Sequence, residues 1–320
     1  MVEALRSALA AEMQRDERVV VLGLDVGRLG GVFRVTEGLL ERFGPERVVD
    51  MPLAEGAIVG SAIGLAVGGL VPVAEIQFLG FTRQAMHQIG PQLGRYRYRS
   101  RGRFGCQVTL RAPFGGGIRT PEFHPDALEA LFVQEPGIKI ACPANPYDAK
   151  GLLLEAIRDP DPVLFLEPQR LYRSERVEVP EEDFQVPFGR SRLVREGTDV
   201  VLVAWSAAVE LSLRAAEQLE ADGLSVGVLD LRTLVPLDVA GLVEAVSDVG
   251  RAVVVQEAPV SAGFGAEIVA TLQQEAFLSI DAPIARVAAW DTPYPPGSLE
   301  VHFLPSVGRV VEAVRQTAAY

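Results

Sequence analysis

The chain has 320 residues, of which 48% are hydrophobic and 22% charged, and its formal net charge is -12. This composition is typical of a globular protein with enough length for two domains, and the negative charge argues against general nucleic-acid binding. Two cysteines, Cys106 and Cys142, are too few for a disulfide framework or a zinc ligand set. We therefore expect a reducing, cytoplasmic location and, because the first residues follow an amphipathic helix pattern, no secretory leader.

Helix and strand patterns alternate along the first half of the chain. The predicted strands are short apolar runs, and the predicted helices repeat apolar residues every three to four positions. Asn145 followed by Pro146 is typical of a helix start, with a capping side chain and a proline in the first turn. Strands are predicted at 18–23, 48–50, 71–77, 107–112, 138–142 and 163–167, and helices at 2–14, 51–69, from about 78 to 97, and 146–158.

An acidic segment with two prolines and no helical periodicity, residues 177–189, predicts a linker between two domains. We place the domains at 1–180 and 181–320. Alternating strands and helices favour, in each domain, a mostly parallel sheet with helices on both faces, which is the doubly wound α/β class. In the second half, strands are predicted at 199–204, 224–229, 252–256 and 284–287, and helices ending at 221, starting at 238, spanning 265–277 and starting near 306.

The most apolar stretch, MPLAEGAIVGSAIGLAVGG, contains Gly56, Gly60, Gly64 and Gly68 at every fourth position. On a helix this spacing places the glycines in one row. Glycine inside a helix costs roughly 1 kcal/mol against alanine, so close approach of another backbone is the expected compensation. We predict a buried helix packed against a partner, with Glu55 in its first turn. This acid is either a structural core residue whose hydrogen bonds are satisfied or a catalytic residue. A membrane span is not expected, because the stretch opens with a proline and an acid and lacks basic flanks.

Ligands of open parallel sheets lie beyond the carboxyl ends of the strands. The longest such loop of the first half, residues 113–125, contains a triple glycine, Arg119, Glu122 and His124. His124 is one of three histidines, and the sequence around it leaves both a structural and a functional role open. The other candidate segments of this edge are residues 24–31, 52–55 and 77–81.

Two further patterns carry weaker signals. The GRLGG segment at 27–31 lacks the spacing of a phosphate-binding loop and is not followed directly by a helix start. The RYRYRSRGR segment at 95–103 is interpreted as a solvated or subunit-facing basic edge rather than as a nucleic-acid patch, because the whole chain is acidic.

A series of motifs runs along the chain in this order: LGLDVGRLGGVFRVTEGL, MPLAEGAIVGSAIGLA, AEIQF, RYRS, GGGIR followed by a histidine, PYDAKGLL, FLEPQRLYRS and VLDLRTLVPLD. Taken together, these motifs resemble the β subunit of the E1 component of 2-oxo acid dehydrogenase complexes. The likeness covers nearly the whole chain, through WDTPYP, and is greatest to the branched-chain type, with the pyruvate and acetoin types near it.

The resemblance implies a thiamine-diphosphate pyrimidine-binding domain followed by a transketolase C-terminal-type domain. It also implies an α2β2 heterotetramer in which thiamine diphosphate lies between α and β subunits and an α-subunit Gly-Asp-Gly motif holds Mg²⁺. This chain contains no Gly-Asp-Gly, so an α partner is expected. The acyl unit is then expected to pass to the lipoyl group of an E2 acyltransferase, with no role for nucleic acid or membrane.

The resemblance also assigns site residues. Glu55 matches the acid that faces N1′ of the aminopyrimidine, and His124 matches the histidine that acts as an acid during transfer to the lipoyl group. The resemblance assigns four residues to cofactor binding, namely Leu53, Glu55, Gln77 and Phe81. The resemblance also places Asp159 and Asp161 in a loop that holds a monovalent cation, such as potassium, in the family.

Several positions depart from the family pattern. Gly-Glu-Asp-Val becomes Gly-Leu24-Asp-Val, Phe-Ala-Asp-Tyr becomes Phe-Leu-Gly80-Phe81, and His-Ser-Gln becomes His-Pro-Asp. Because acids and a hydroxyl are lost while Glu55 and His124 are kept, a non-catalytic or regulatory assembly subunit is one alternative. An acetoin-type dehydrogenase subunit is another, and a nucleotide-binding module of the doubly wound class rests on fold analogy alone.

Overall fold

The computed structural model describes residues 1–174 and 176–320. The strands are β1 (Val19–Gly23), β2 (Val48–Asp50), β3 (Val71–Glu75), β4 (Thr109–Phe114), β5 (Lys139–Ala141), β6 (Val163–Pro168), β7 (Arg192–Arg195), β8 (Val200–Ala204), β9 (Val226–Asp230), β10 (Thr233–Val235), β11 (Ala252–Pro259) and β12 (Ala285–Ala289). The helices are α1 (Val2–Arg15), α2 (Leu39–Phe43), α3 (Glu55–Val67), α4 (Tyr96–Arg99), α5 (Glu129–Val133), α6 (Pro146–Arg158), α7 (Ala207–Glu220), α8 (Val239–Ser247), α9 (Gly265–Glu275), α10 (Glu300–Phe303) and α11 (Val307–Ala318).

The strands form two sheets, in the orders β10-β5-β6-β4-β3-β1-β2 and β12-β11-β8-β9-β7. All neighbouring strands run parallel except β10 beside β5 and β7 beside β9, which are antiparallel. Parallel strands covered by helices on both faces are buried along their whole length, and every residue of β1, β3 and β8 is buried. The predicted two α/β domains are thereby confirmed.

The two sheets share one apolar core cluster. It includes Ile76 and Leu110 beside the first sheet and Val203 and Leu229 of the second. Separate clusters cover the opposite faces, one between the first sheet and the packed pair α1 and α6, the other under α7 and α11. The halves therefore contact each other through buried apolar surface, which favours a fixed arrangement of the loops between them.

The predicted helix from residue 78 to 97 is wrong as a continuous α-helix. A 3₁₀ segment (Leu79–Ala85) is followed by a π-helical segment (Gln88–Gly94) and then by the short α4. Pro91 lies inside the π-helical segment, where it has no N–H to donate and interrupts regular helical hydrogen bonding. Wide helical turns of this kind are frequent at functional sites, and this segment follows the carboxyl end of β3.

Strands β7 and β10 were not predicted, and β10 comes from the second half of the sequence yet extends the first sheet. Thr233 pairs with Ala141 of β5. Such short strands lack a periodic pattern and are recognised only by their pairing partner. Short helices α2, α5 and α10 were likewise not predicted.

The predicted linker, residues 177–189, forms no helix or strand and is hydrogen-bonded to α6. Val186 donates its backbone N–H to the Gly151 carbonyl at 3.2 Å, and the Lys150 ammonium donates to the Glu181 carbonyl at 3.1 Å. The predicted cap of α6 is confirmed, because the Asn145 side chain accepts from the Asp148 N–H at 2.9 Å. Across the described ranges, no helix has both the length and the apolar character needed to cross a bilayer.

Candidate functional site

Glu55 is the first residue of α3, at the helix end where a carboxylate is favoured electrostatically. Only 6% of the residue is exposed in the isolated chain. Its Oε2 atom is buried and has no hydrogen-bond partner among the residues that the structure describes. Because an unpaired buried polar atom costs roughly 1–3 kcal/mol, few are left in native proteins. Glu55 therefore presents an open hydrogen-bonding position.

The glycine row of α3 is uncovered in this chain at Gly60 and Gly64, whereas Gly56 lies near Gln84 and Gln88. The buried residues of α3 include Ile58, Val59 and Ala62, whereas a Cβ added at Gly60 or Gly64 would meet no atom within 4 Å. In the isolated chain α3 is therefore buried on one face only, because the glycine side faces away from the core. Packing of that side against a partner stays a prediction.

His124 lies in the loop after β4 and is surrounded by the rings of Phe78, Phe81 and Phe123, which we call the aromatic rim. The centroid of its imidazole is 4.6, 5.0 and 5.6 Å from those of the three rings. The Nδ1 atom is 3.1 Å from the Glu122 carbonyl oxygen. A carbonyl can only accept, so we assign a proton to Nδ1, which leaves Nε2 to take or give the second proton.

The other predicted cofactor-binding residues differ in their burial and in their contacts. Phe81 lies in the aromatic rim, in the 3₁₀ segment that packs against α3. The Gln77 amide is half-buried at the carboxyl end of β3 and donates to Asp25 Oδ2 at 3.4 Å. Leu53, directly before α3, is 72% exposed. The structure thus joins Phe81 to His124 and leaves Leu53 facing outward in the isolated chain.

Gly80 explains one departure from the family pattern. A Cβ at this position would overlap the backbone carbonyl of Phe123. The family acid at this position is therefore replaced by a backbone contact, because only glycine lets the 3₁₀ segment come so near the His124 loop. This close approach was not predicted, since it depends on residues that are far apart in the sequence.

The triple glycine of the His124 loop makes a contact between the two halves. Gly116 donates its N–H to Glu257, and Gly117 donates to Glu300 Oε1 at 3.0 Å. The Tyr294 hydroxyl donates to the same Glu300 oxygen at 2.6 Å. Burial raises the pKa of Glu257 above its usual value, while the Gly116 hydrogen bond lowers it. This part of the candidate loop is therefore structural, and it anchors the segment that carries His124.

A buried ionic group fixes the strands beneath this loop, and sequence reasoning missed it. Arg111 of β4 donates to Glu167 of β6 at 2.7 and 2.9 Å and to Glu75 of β3 at 2.8 Å. The Tyr172 hydroxyl adds a 2.6 Å bond to Glu167. Burial raises the pKa of Glu75 and is opposed by Arg111. The signal available in the sequence was Arg111 itself, which is the one charged residue of β4.

The glycines at 27–31 do not form a phosphate cradle. Asp50 accepts from the Gly27 N–H at 2.6 Å and from the Arg28 N–H at 3.2 Å, so these donors are already used. The arginines of the 95–103 segment are largely solvated and border a cavity of about 1180 Å³, whose lining includes Asp161 but none of the predicted catalytic or cofactor-binding residues.

Asp159 and Asp161, the predicted cation loop, are already paired with cationic side chains. Asp159 accepts from the Lys139 ammonium, and Asp161 accepts from the Arg97 guanidinium at 2.5 Å. No cluster of three or more histidine, cysteine, aspartate or glutamate side chains suited to a metal occurs in the described part of the chain. Both carboxylates are thus engaged by cationic side chains in this arrangement, and the cation site stays a prediction.

Known proteins share this arrangement over the full chain. Residues 1–175 match the family described as "Transketolase, pyrimidine binding domain", and residues 189–310 match "Transketolase, C-terminal domain". The predicted domain boundary at 180/181 lies between these two ranges.

Two relatives are named pyruvate dehydrogenase E1 component subunit beta. One, from Staphylococcus epidermidis (strain RP62A), is 51% identical over 320 residues, which are 100% of this chain and 98% of the relative. The other, from Bacillus subtilis (strain 168), is 50% identical with the same coverage. A solved structure described as "Split gene transketolase, inactive beta4 tetramer" superposes with a TM-score of 0.81 at 27% identity, covering 99% of this chain and 97% of that one. The chain therefore belongs to the transketolase-like family of E1 component β subunits.

Proposed function

We propose that this chain is the β subunit of a thiamine-diphosphate-dependent 2-oxo acid dehydrogenase E1, which decarboxylates a 2-oxo acid and transfers the acyl unit to the lipoyl group of an E2 partner. The observation that carries the proposal is the buried, unpartnered Oε2 of Glu55 at the start of a helix whose Gly60 and Gly64 are uncovered. Relatives named for pyruvate make pyruvate the first substrate to test. Branched-chain 2-oxo acids and acetoin remain the alternatives, and a cytoplasmic location remains a prediction.

The residues fit the pyrimidine half of the cofactor. Thiamine diphosphate supplies a carbon nucleophile and an electron sink for decarboxylation. Glu55 is proposed to share a proton between its Oε2 and the N1′ ring nitrogen, which satisfies the oxygen that the isolated chain leaves unpaired. Gln77, Phe81 and Leu53 are proposed to line the pyrimidine pocket. Because Leu53 is exposed in the isolated chain, its side of the pocket needs the partner.

His124 is proposed to act in the second half of the reaction. Transfer of the acyl unit oxidises the acyl carbon and reduces the lipoyl disulfide, so one sulfur takes the acyl group and the other takes a proton. Nε2 of His124 is the proposed donor of that proton, since Nδ1 is occupied by the Glu122 carbonyl. The rings of the aromatic rim pack against the imidazole and orient it, which favours directed proton transfer.

An α subunit is proposed to complete the site in an α2β2 heterotetramer. This chain has no Gly-Asp-Gly, and the backbone donors at 27–31 are engaged by Asp50. The Mg²⁺ and the diphosphate are therefore assigned to the α subunit. The open glycine row of α3 is the proposed contact, because small residues allow another helix to approach closely.

The test of the proposal is Glu55→Gln in the chain co-expressed with its α subunit. We expect decarboxylation of the 2-oxo acid to fall at least ~100-fold, which corresponds to about 2.7 kcal/mol of barrier. Glu41→Gln, at an exposed position of α2, is the control and should keep wild-type activity. A Glu55→Gln rate within about threefold of the wild type, less than ~0.7 kcal/mol, contradicts the assigned role.

A non-catalytic assembly subunit is the second candidate, favoured by the lost polar groups at Leu24, Gly80 and Phe81. A related solved structure is described as an inactive β4 tetramer. Calorimetry of thiamine diphosphate binding to the α–β assembly separates the two candidates. Binding without turnover of pyruvate, branched-chain 2-oxo acids or acetoin supports the assembly role.

A further inference from the structure

We infer that Gln169 is a positioning residue for His124, an inference that rests on the proposed function of this site. Gln169 follows directly after β6 and is 3% exposed. Its Nε2 donates a 2.9 Å hydrogen bond to the backbone carbonyl oxygen of His124. No other donor reaches that carbonyl within the part of the chain that the structure describes.

Stability alone does not account for a buried amide at this position. One hydrogen bond contributes roughly 0.5–1.5 kcal/mol, whereas an unpaired buried polar atom costs roughly 1–3 kcal/mol. The Oε1 atom of Gln169 is buried without a partner. An apolar side chain of the same length would avoid that cost but would leave the His124 carbonyl without its donor. The net effect of the amide on stability is therefore small, and its specific consequence is that it holds the His124 carbonyl in one place.

The backbone of residues 122–124 is held from two sides. Gly80 of the 3₁₀ segment abuts the Phe123 carbonyl, and Gln169 of the segment after β6 binds the next carbonyl along. The Nδ1 bond of His124 is made to Glu122, within the same loop. That bond moves with the loop and cannot fix its position, whereas Gln169 ties the backbone of His124 itself to the end of β6 and so helps to set where Nε2 lies.

If Gln169 acts through His124, its loss should impair only one of the two half-reactions. His124 is proposed to act in acyl transfer to the lipoyl group, whereas decarboxylation depends on Glu55. Displacement of a catalytic group by about 1 Å can cost ~100-fold in rate. Loss of the Gln169 bond is therefore expected to slow acyl transfer and to spare decarboxylation.

The experiment uses Gln169→Met in the chain co-assembled with its α subunit. We expect acylation of a lipoyl domain to fall at least ~10-fold, while decarboxylation with ferricyanide as the oxidant stays within about twofold of the wild type. Hydrogen exchange measured by mass spectrometry supplies a readout independent of activity. Peptides covering residues 121–128 should exchange faster in the variant, because the loop has lost its anchor.

Gln256→Met is the matched control. Gln256 is 1% exposed and donates to the Pro259 carbonyl at 2.7 Å, in the second half and outside the proposed site. It should lower the melting temperature and leave the ratio of the two activities unchanged. An equal loss of both activities in Gln169→Met, no loss of either, or unchanged exchange at residues 121–128 overturns the assignment of Gln169. A wild-type assembly that decarboxylates no 2-oxo acid overturns the proposed function itself, whereas an active wild type without the selective loss rejects only Gln169.

Discussion

Three acids of this chain show that burial by itself does not mark a catalytic residue. Glu55, Glu129 and Asp230 are all buried, and each has one side-chain oxygen without a partner in the described chain. Glu129 and Asp230 contact the region between the two sheets, whereas Glu55 lies at the edge of an uncovered helix. The sequence pointed to Glu55 through its glycine row and family motif, while the burial of Glu129 depends on Trp205, which is distant in the sequence.

Glu129 provides a prediction about stability against pH. Burial raises its pKa to about 7, with a smaller rise from Glu257, while the Trp205 N–H bond at 3.2 Å lowers it. Since the folded pKa lies above the unfolded value, the contribution of the protonated form is complete below about pH 4.5 and is lost as the pH rises through about 7. Glu129→Gln keeps the acceptor for Trp205 and removes the titration.

We therefore expect Glu129→Gln to be more stable than the wild type at pH 8, by up to about 3 kcal/mol, and equally stable near pH 4.5. Urea unfolding of both proteins at the two pH values measures the difference. A constant difference across this range means that Glu129 does not titrate as the burial indicates.

Among the elements, α3 has two distinct faces. One is buried against the sheet through Ile58, Val59 and Ala62, and the other carries the glycine row. The helix was predicted from the sequence because its glycine spacing and apolar run are local. The interrupted segment after β3 was not, since its 3₁₀ and π-helical turns depend on close contacts such as that between Gly90 and Glu135.

Gly64→Leu tests the proposed contact of α3 with an α subunit. In the isolated chain a side chain at this position meets open space, and leucine favours a helix over glycine by roughly 0.5–1 kcal/mol. We expect an unchanged or higher melting temperature for the isolated variant and loss of co-elution with the α subunit in size-exclusion chromatography.

Gly308→Leu is the control for that experiment, because Gly308 is also helical and open, on α11 of the second half. Its co-elution with the α subunit should be normal. If Gly64→Leu still forms a wild-type complex, the glycine row is not the contact surface.

At the scale of the whole molecule, two sheets are joined by a shared core, by β10 and by the triple-glycine loop. A Cβ at Gly116 would overlap the Tyr294 hydroxyl, and Leu304 Cδ1 lies 3.1 Å away. The loop thus couples the position of the His124 segment to residues of the second half. The second half thereby helps to position the His124 segment, although no catalytic residue is predicted in it.

Gly116→Ala is expected to lower the free energy of unfolding by roughly 1–3 kcal/mol, because the added methyl group has no space. Adding Tyr294→Phe removes the overlapping hydroxyl and should restore part of the loss, since the two positions are in contact. Urea unfolding of the two single variants and the double variant measures this coupling. Strictly additive effects contradict the packing described here.

The amino-acid sequence by itself determined the alternation of strands and helices, the cap of α6, the α3 helix and the family, because each depends on local periodicity or on motifs contiguous in the chain. Only the tertiary structure decided that β10 joins the first sheet, that the triple glycine binds Glu257 and Glu300, and that Arg111, Glu75 and Glu167 form one buried ionic group. It also decided that Gln169 holds the His124 carbonyl. The physical reason is that these interactions join residues many positions apart, and their geometry exists only once the strands have paired and the two halves have packed.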